Sequence, residues 1–171
     1  MYINKYDWSG QCAERGLRAE DIFKICAEKR GYETKDATRS ENIHKHIDVW
    51  LNENIGIDVK ARKKRTRKSK SIDDSVVWIE FKNVQGRRGW IDGDAHGIAF
   101  EQEDHFVVLN RNTLHQHALS LVNFDVVPTD KSPVEPYITY TRKGRKDVIA
   151  MIKTSDLYSI KHSIWLKPPV L

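Results

Sequence analysis

Cysteine is scarce in this chain: its 171 residues hold two, Cys12 and Cys26. They form no metal-ligating spacing, and Cys26 falls on the apolar stripe of an expected helix. Both therefore read as reduced thiols rather than as a disulfide scaffold. Long hydrophobic runs are missing too. No apolar stretch approaches the roughly 20 residues a membrane-spanning helix needs. The opening residues, MYINKYD, lack the apolar core of a signal peptide. The expectation is a cytoplasmic protein with no membrane partner. Internal repeats are absent, and compositional bias is confined to one basic run. What remains is a globular balance, 39% hydrophobic and 31% charged, in a chain long enough to bury a core. A single domain over residues 1–171 is expected, with a mobile basic loop at about 62–75.

The net charge of +5 conceals an asymmetry. Residues 60–70 read KARKKRTRKSK, with eight basic side chains and no acid. Without those eight, 21 Lys and Arg face 24 Asp and Glu, so the rest of the chain is slightly acidic. A block of like charge is commonly a solvated loop. Placed directly after a candidate functional lysine, Lys60, it is also suited to meet phosphates. Arg62, Lys63, Lys64, Arg65, Arg67, Lys68 and Lys70 are the candidate nucleic-acid-binding residues.

Periodicity divides the chain. Ala19, Ile22, Phe23 and Cys26 recur at helical spacing within 16–30, and Gly31 is a stop signal. Residues 33–45 are polar and read as loop with a short extended piece. The pattern then becomes twofold: HIDVWL over 46–51 and IDVKAR over 57–62 alternate, separated by the turn-rich Asn52-Glu53-Asn54-Ile55-Gly56. A third strand is expected at 76–82 and a glycine-rich irregular segment around Trp90 at 86–97. A buried strand (FVVL, 106–109) and a helix over 113–122 follow. Pro128, Pro133 and Pro136 mark a loop, and a final hairpin turns at Lys143-Gly144. The sum is a mixed α/β domain: helix, three antiparallel strands, strand–helix, hairpin.

Strand parity decides which side chains converge. With a five-residue connection at 52–56, Asp48 lies opposite Lys60 and Trp50 opposite Asp58. All four then share one face, while Ile47, Val49, Leu51, Ile57, Val59 and Ala61 share the other. Two carboxylates held this close repel unless a cation neutralises them. A hard divalent ion, Mg²⁺ or Mn²⁺, takes such oxygen ligands and keeps positions for water and a phosphate oxygen. Lys60, on the same face, can hold an attacking water and offset charge developing on phosphorus.

Asp48, nine intervening residues, then Asp58-Val59-Lys60 resembles the signature of the PD-(D/E)XK, or restriction-endonuclease-like, nucleases. The block WIEFKNVQGRRGWIDGDAHGIAFE over 78–101 is also similar to a stretch in phage-encoded proteins of this type. Ile47 stands where the signature commonly has Pro. The resemblance implies a restriction-endonuclease-like core, a mixed central sheet flanked by helices, with a helix before the hairpin that often carries a metal-binding Glu. Glu20 matches that position. On this reading Asp48, Asp58 and Glu20 hold the metal, Lys60 positions water, and Glu80 is a further ligand or supporting group. The expected activity is endonucleolytic cleavage of DNA, structured or branched forms included, with RNA left open. A homodimer is the expected assembly, because nucleases that cut both strands often pair.

Other readings stand beside this one. Asp58 with Glu80-Phe81-Lys82 also spells Asp…Glu-x-Lys, and Gln85 would approach from the end of that strand. Asp48 and Lys60 alone would make an ordinary cross-strand ion pair, and Glu20 a surface helix residue. The pairs His44/His46 and His115/His117 lack a third zinc ligand close in sequence. Asp92 and Asp94 suit turns, and Trp78 and Trp90 suit packing. At the level of function, the alternatives are a non-catalytic nucleic-acid-binding module and a subunit whose basic loop docks on an acidic partner.

Overall fold

A computed structural model describes residues 10–66, 68–126 and 135–169. Arg67, the loop marked by Pro128 and Pro133, and the N-terminal segment read for a signal peptide lie outside the described residues.

The chain opens with α1 (Gln11–Glu28), whose buried face is Ala19, Phe23, Cys26 and Ala27. Gly31, at φ 85°, ends it as the sequence predicts, and the Tyr32 N–H returns to the Ala27 carbonyl (3.1 Å). A short β1 (Thr34–Asp36) leads into α2 (Arg39–Lys45). Here the polar stretch expected to be loop is helical. Thr38 and Glu41 cap each other reciprocally, with Thr38 Oγ1 accepting from the Glu41 N–H. That signal was present in the sequence, but α2 buries no side chain, so no apolar stripe announced it.

Next come β2 (Val49–Leu51), β3 (Ile55–Lys60), β4 (Val76–Lys82), a 3₁₀ turn at Trp90–Asp92, and β5 (Gly97–Glu101). They are followed by β6 (His105–Asn110), α3 (Arg111–Leu121), β7 (Thr139–Tyr140), β8 (Val148–Lys153), α4 (Thr154–Tyr158) and β9 (His162–Leu166). The strands form two sheets. The larger has the order β1-β2-β3-β5-β6-β9, antiparallel throughout except for the parallel pair β3/β5. The smaller is β4-β8-β7.

Two expectations are corrected. The hairpin turn is three residues long, not five: Leu51 pairs with Ile55, Trp50 with Gly56 and Val49 with Ile57. Asn52 and Glu53 take left-handed φ values of 48° and 62° to close it. The register therefore slips by two, which preserves parity but brings Asp48, rather than Trp50, opposite Asp58. Second, β4 does not extend the hairpin. It heads the smaller sheet, pairing with β8, while β5, which periodicity did not reveal, takes the place beside β3. The final hairpin forms as expected, β7 against β8.

Alternation along β3 to β6 sends side chains into two cores. Val49, Leu51, Ile57, Val59, Ala99 and Phe106 pack beneath α1 together with Trp165. Ile98, Phe100, Val107 and Leu109 pack on the opposite side against β4, β8, α3 and Trp90. Because both faces are covered, the FVVL strand reads as a continuous apolar run. Ile47 is the exception to the expected facing: it joins the second core, because the chain turns through His46 at φ 55° just before β2.

Phe23 anchors α1, stacking on Trp165 (5.2 Å between ring centroids) and meeting Phe106 edge-on (5.4 Å). It is fully buried. Phe23→Ala is expected to cost about 3–5 kcal/mol, read as a fall in urea midpoint without change in slope. A loss below about 1 kcal/mol would mean that α1 is not held by this contact.

Candidate active site at the fork of β2 and β3

The pairing of β2 with β3 stops at Val49 and Ile57, and Asp48 makes one further bond, N–H to the Ile57 carbonyl (2.9 Å). Beyond it β2 ends and β3 runs on to Lys60, which leaves an open strand edge at the fork. Asp48 fills that edge with its side chain: Oδ2 accepts the Val59 N–H (2.8 Å), and Oδ1 accepts from Asn42 Nδ2 on α2. Asn42 is a positioning group that sequence reasoning missed, since its role depends on a helix of which only the capping residues hinted.

Asp58 faces the second core and is 2% exposed. Its Oδ1 is 2.6 Å from Lys60 Nζ, and that ammonium also lies 4.5 Å from the centroid of the Trp90 ring. Asp58 Oδ2 is buried with no hydrogen-bond donor. The Asp48 carboxyl approaches within hydrogen-bonding reach of Asp58, but two carboxylates have no proton to share, so the contact is repulsive when both are charged. Burial first, and the Asp48 charge after it, push the Asp58 carboxyl well above its ordinary value, against the pull of Lys60.

Glu20, half-buried on α1, joins from the other side of the sheet. Burial, then the charge of Asp48, push it up to about 7. Glu80 reaches the site from the smaller sheet. Burial raises it, while Lys60, Arg142 and Lys63 pull it back. The fold thus brings Glu20, Asp48, Asp58, Lys60 and Glu80 into one charge-coupled neighbourhood. His46 belongs to it as well: burial and the charges of Lys60 and Arg88 lower it, opposed by Asp48 and Asp94.

The rival motif does not assemble in the same way. A bulge between Glu80 and Lys82 interrupts β4 pairing, Lys82 is exposed, and Gln85 sits exposed in a turn held by Asn83. His115 lies against Phe81 and Asp92, whereas His117 meets Ser159, so that pair diverges. Trp90 is 7% exposed and packs edge-on to Phe100, a packing residue that also seats Lys60. Gly89 makes this possible: a Cβ there would stand 2.2 Å from the Glu80 carbonyl oxygen.

The basic segment is tied at its base. Arg62 forms a two-point ion pair with Asp74, its N–H donates to Glu101, and the Asp73 N–H returns to the Lys63 carbonyl (3.2 Å). Arg65 lies 3.8 Å from Asp73. Lys64, Lys68 and Lys70 are exposed and make no ion pair among the described residues, whereas burial and then the Lys60 charge lower the Lys63 ammonium, opposed by Glu80.

Among the described residues, no three His, Cys, Asp or Glu side chains close into a metal cage. A divalent ion nevertheless suits the donors present. Mg²⁺ is commonly held by one or two carboxylates with water completing its shell, and the donor-less Asp58 Oδ2 beside Asp48 is where such a charge is needed.

An acid raised by the fold makes stability greatest below its unfolded value and loses it as pH rises. For Glu20 that window runs from 4.5 to about 7. Metal-free protein is therefore expected to lose about 1–2 kcal/mol from this group between about pH 5 and 8, after allowance for solvent screening. Glu20→Gln should flatten the profile by that amount in denaturant titrations. Parallel profiles would show that Glu20 is not buried against Asp48.

No protein-family model matches the chain, and neither the curated proteins nor the solved structures yield a significant match.

Proposed function

We propose that this protein is a metal-dependent endonuclease that hydrolyses phosphodiester bonds in DNA, with a restriction-endonuclease-like core. The observation that carries the reading is the buried carboxylate of Asp58, pressed by Asp48, with one oxygen lacking any donor and Lys60 within 2.6 Å of the other. Two carboxylates face one ammonium here, and groups perturbed by burial together with a specific charge partner are candidates for a functional site. The agreement of the Asp48…Asp58-x-Lys60 spacing with a PD-(D/E)XK signature supports it from an independent direction.

On this reading Asp48 and Asp58 hold Mg²⁺ or Mn²⁺, with Glu20 on the α1 side and Glu80 on the other. The bound ion would supply Lewis-acid polarisation of a phosphate oxygen and a lowered pKa for bound water. The chain's own groups do the rest. Lys60, held by Asp58 and the Trp90 face, orients a water for attack on phosphorus and faces the negative charge that builds on the phosphoryl oxygens. The water oxygen bonds to phosphorus as its proton passes to solvent, the bond to the leaving sugar oxygen breaks, and that oxygen takes a proton from a second water. The exposed lysines of 63–70 grip backbone phosphates without reading sequence. A homodimer would let two such sites address both strands.

A second reading, a nucleic-acid-binding module without catalysis, draws on the self-contained Lys60–Asp58 pair and on the lack of a third ligand among the described residues. The two part on one experiment. Labelled linear, flapped, four-way-branched and single-stranded DNAs are incubated with EDTA, Mg²⁺ or Mn²⁺. The nuclease reading expects metal-dependent cleavage that falls at least about 10³-fold in Lys60→Ala and in Asp58→Asn, with binding largely kept. Binding by wild type with no cleavage in either metal would establish the second reading instead.

A further inference from the structure

A second cationic surface lies away from the 60–70 run. The chain that leaves β4 reads KNVQGRR over 82–88, and the turn between β7 and β8 contains RKGRK over 142–146; neither stretch holds an acid. The fold packs the two turns together. The Lys146 N–H donates to the Val84 carbonyl (3.1 Å), and a Cβ at Gly86, where φ is 79°, would lie 3.2 Å from Lys146 Cβ. Each turn is also braced internally. The Asn83 side-chain oxygen accepts from the Gln85 and Arg87 N–H groups, and the fully buried Asp147 holds Arg142 by its backbone N–H and its guanidinium. Arg88 is engaged by Asp94 (3.1 Å). Lys82, Arg87, Lys143 and Lys146 remain exposed. Exposed cations gathered in this way repel one another, and none of these four is buried in the core.

Its position relates it to the site. The 82–88 turn links the strand that carries Glu80 to Gly89, which lies against the Glu80 backbone, and to Trp90, on whose face Lys60 rests. The two surfaces leave opposite ends of one strand: Asp73 and Asp74, which tie the 60–70 segment, precede β4, and the ridge follows it. Seven strand residues cover about 20 Å, or about six base-pair steps of duplex. A duplex lying over the site offers two backbones across that span, one for each surface, where a single strand offers one.

We propose that the ridge formed by residues 82–88 and 142–146 is a second phosphate-binding surface, and that with the 60–70 segment it makes the site one for duplex rather than single-stranded DNA. This rests on the nucleic-acid reading above but not on cleavage. The test is fluorescence anisotropy in EDTA, where no hydrolysis intervenes, using a duplex of about 30 base pairs and one of its strands over a range of salt. The variant combines Arg87→Ala, Lys143→Ala and Lys146→Ala. These are exposed residues, and circular dichroism checks the fold. Duplex affinity is expected to fall about tenfold or more near physiological salt, and the slope of log K against log salt to lose about 2–3, while single-strand binding changes little. Unchanged duplex affinity and slope would overturn the proposal, and so would an equal loss on both ligands. Loss confined to the duplex in a protein that never cleaves would sink the nuclease reading and leave this surface established.

Discussion

Burying a carboxylate beside another carboxylate is a demand that the rest of this architecture answers. Asp58 sits 2% exposed with Asp48 against it, and Lys60 stands in compensation at 2.6 Å. Leaving such a charge unpaired in a low-dielectric interior would cost several kcal/mol, so Lys60 must be held in place. It is held twice, by the 2.6 Å contact with Asp58 and by the Trp90 face. Trp90 in turn depends on Gly89, whose lack of a side chain lets the chain pass against the β4 backbone at Glu80.

The layered arrangement follows from the same point. A parallel neighbour for β3 requires a crossover, and here the crossover carries the basic segment, β4 and the Trp90 turn. The smaller sheet therefore lies on the face of β3 that presents Asp58 and Lys60, and contributes Glu80. On the opposite face α1 packs through Phe23 onto Trp165 and brings Glu20 toward Asp48. The fork between β2 and β3 is where these layers meet, and Asp48 closes it by replacing a missing strand partner with its own side chain.

Charge is distributed in keeping with this. Acids gather in the interior of the site, and cations stand on two exposed turns and one exposed segment around it. Opposite signs kept apart across a few residues attract a polyanion to the rim and leave the carboxylates to be met by something positive.

Local chemistry was enough for much of this. The α1 stripe, the Gly31 stop, the alternation on both sides of Asn52 and the final hairpin are short-range patterns, and they appear where the residues indicate. Alternation alone put Asp58 and Lys60, two residues apart on β3, on one face, whatever the register of the hairpin. Loop length, however, depends on whether Asn52 and Glu53 take left-handed conformations, a choice settled by how β2 and β3 pack beneath α1. Sheet membership was likewise beyond the pattern. β4 alternates as the hairpin strands do, and nothing within Val76–Lys82 states that its partner is β8, 66 or more positions later. The approach of Glu20, Glu80, Asn42 and Trp90 to the two aspartates belongs to the same class. Residue types and near spacing set the candidates, and long-range packing, which has no signature in a single strand or helix, decided which of them share a site.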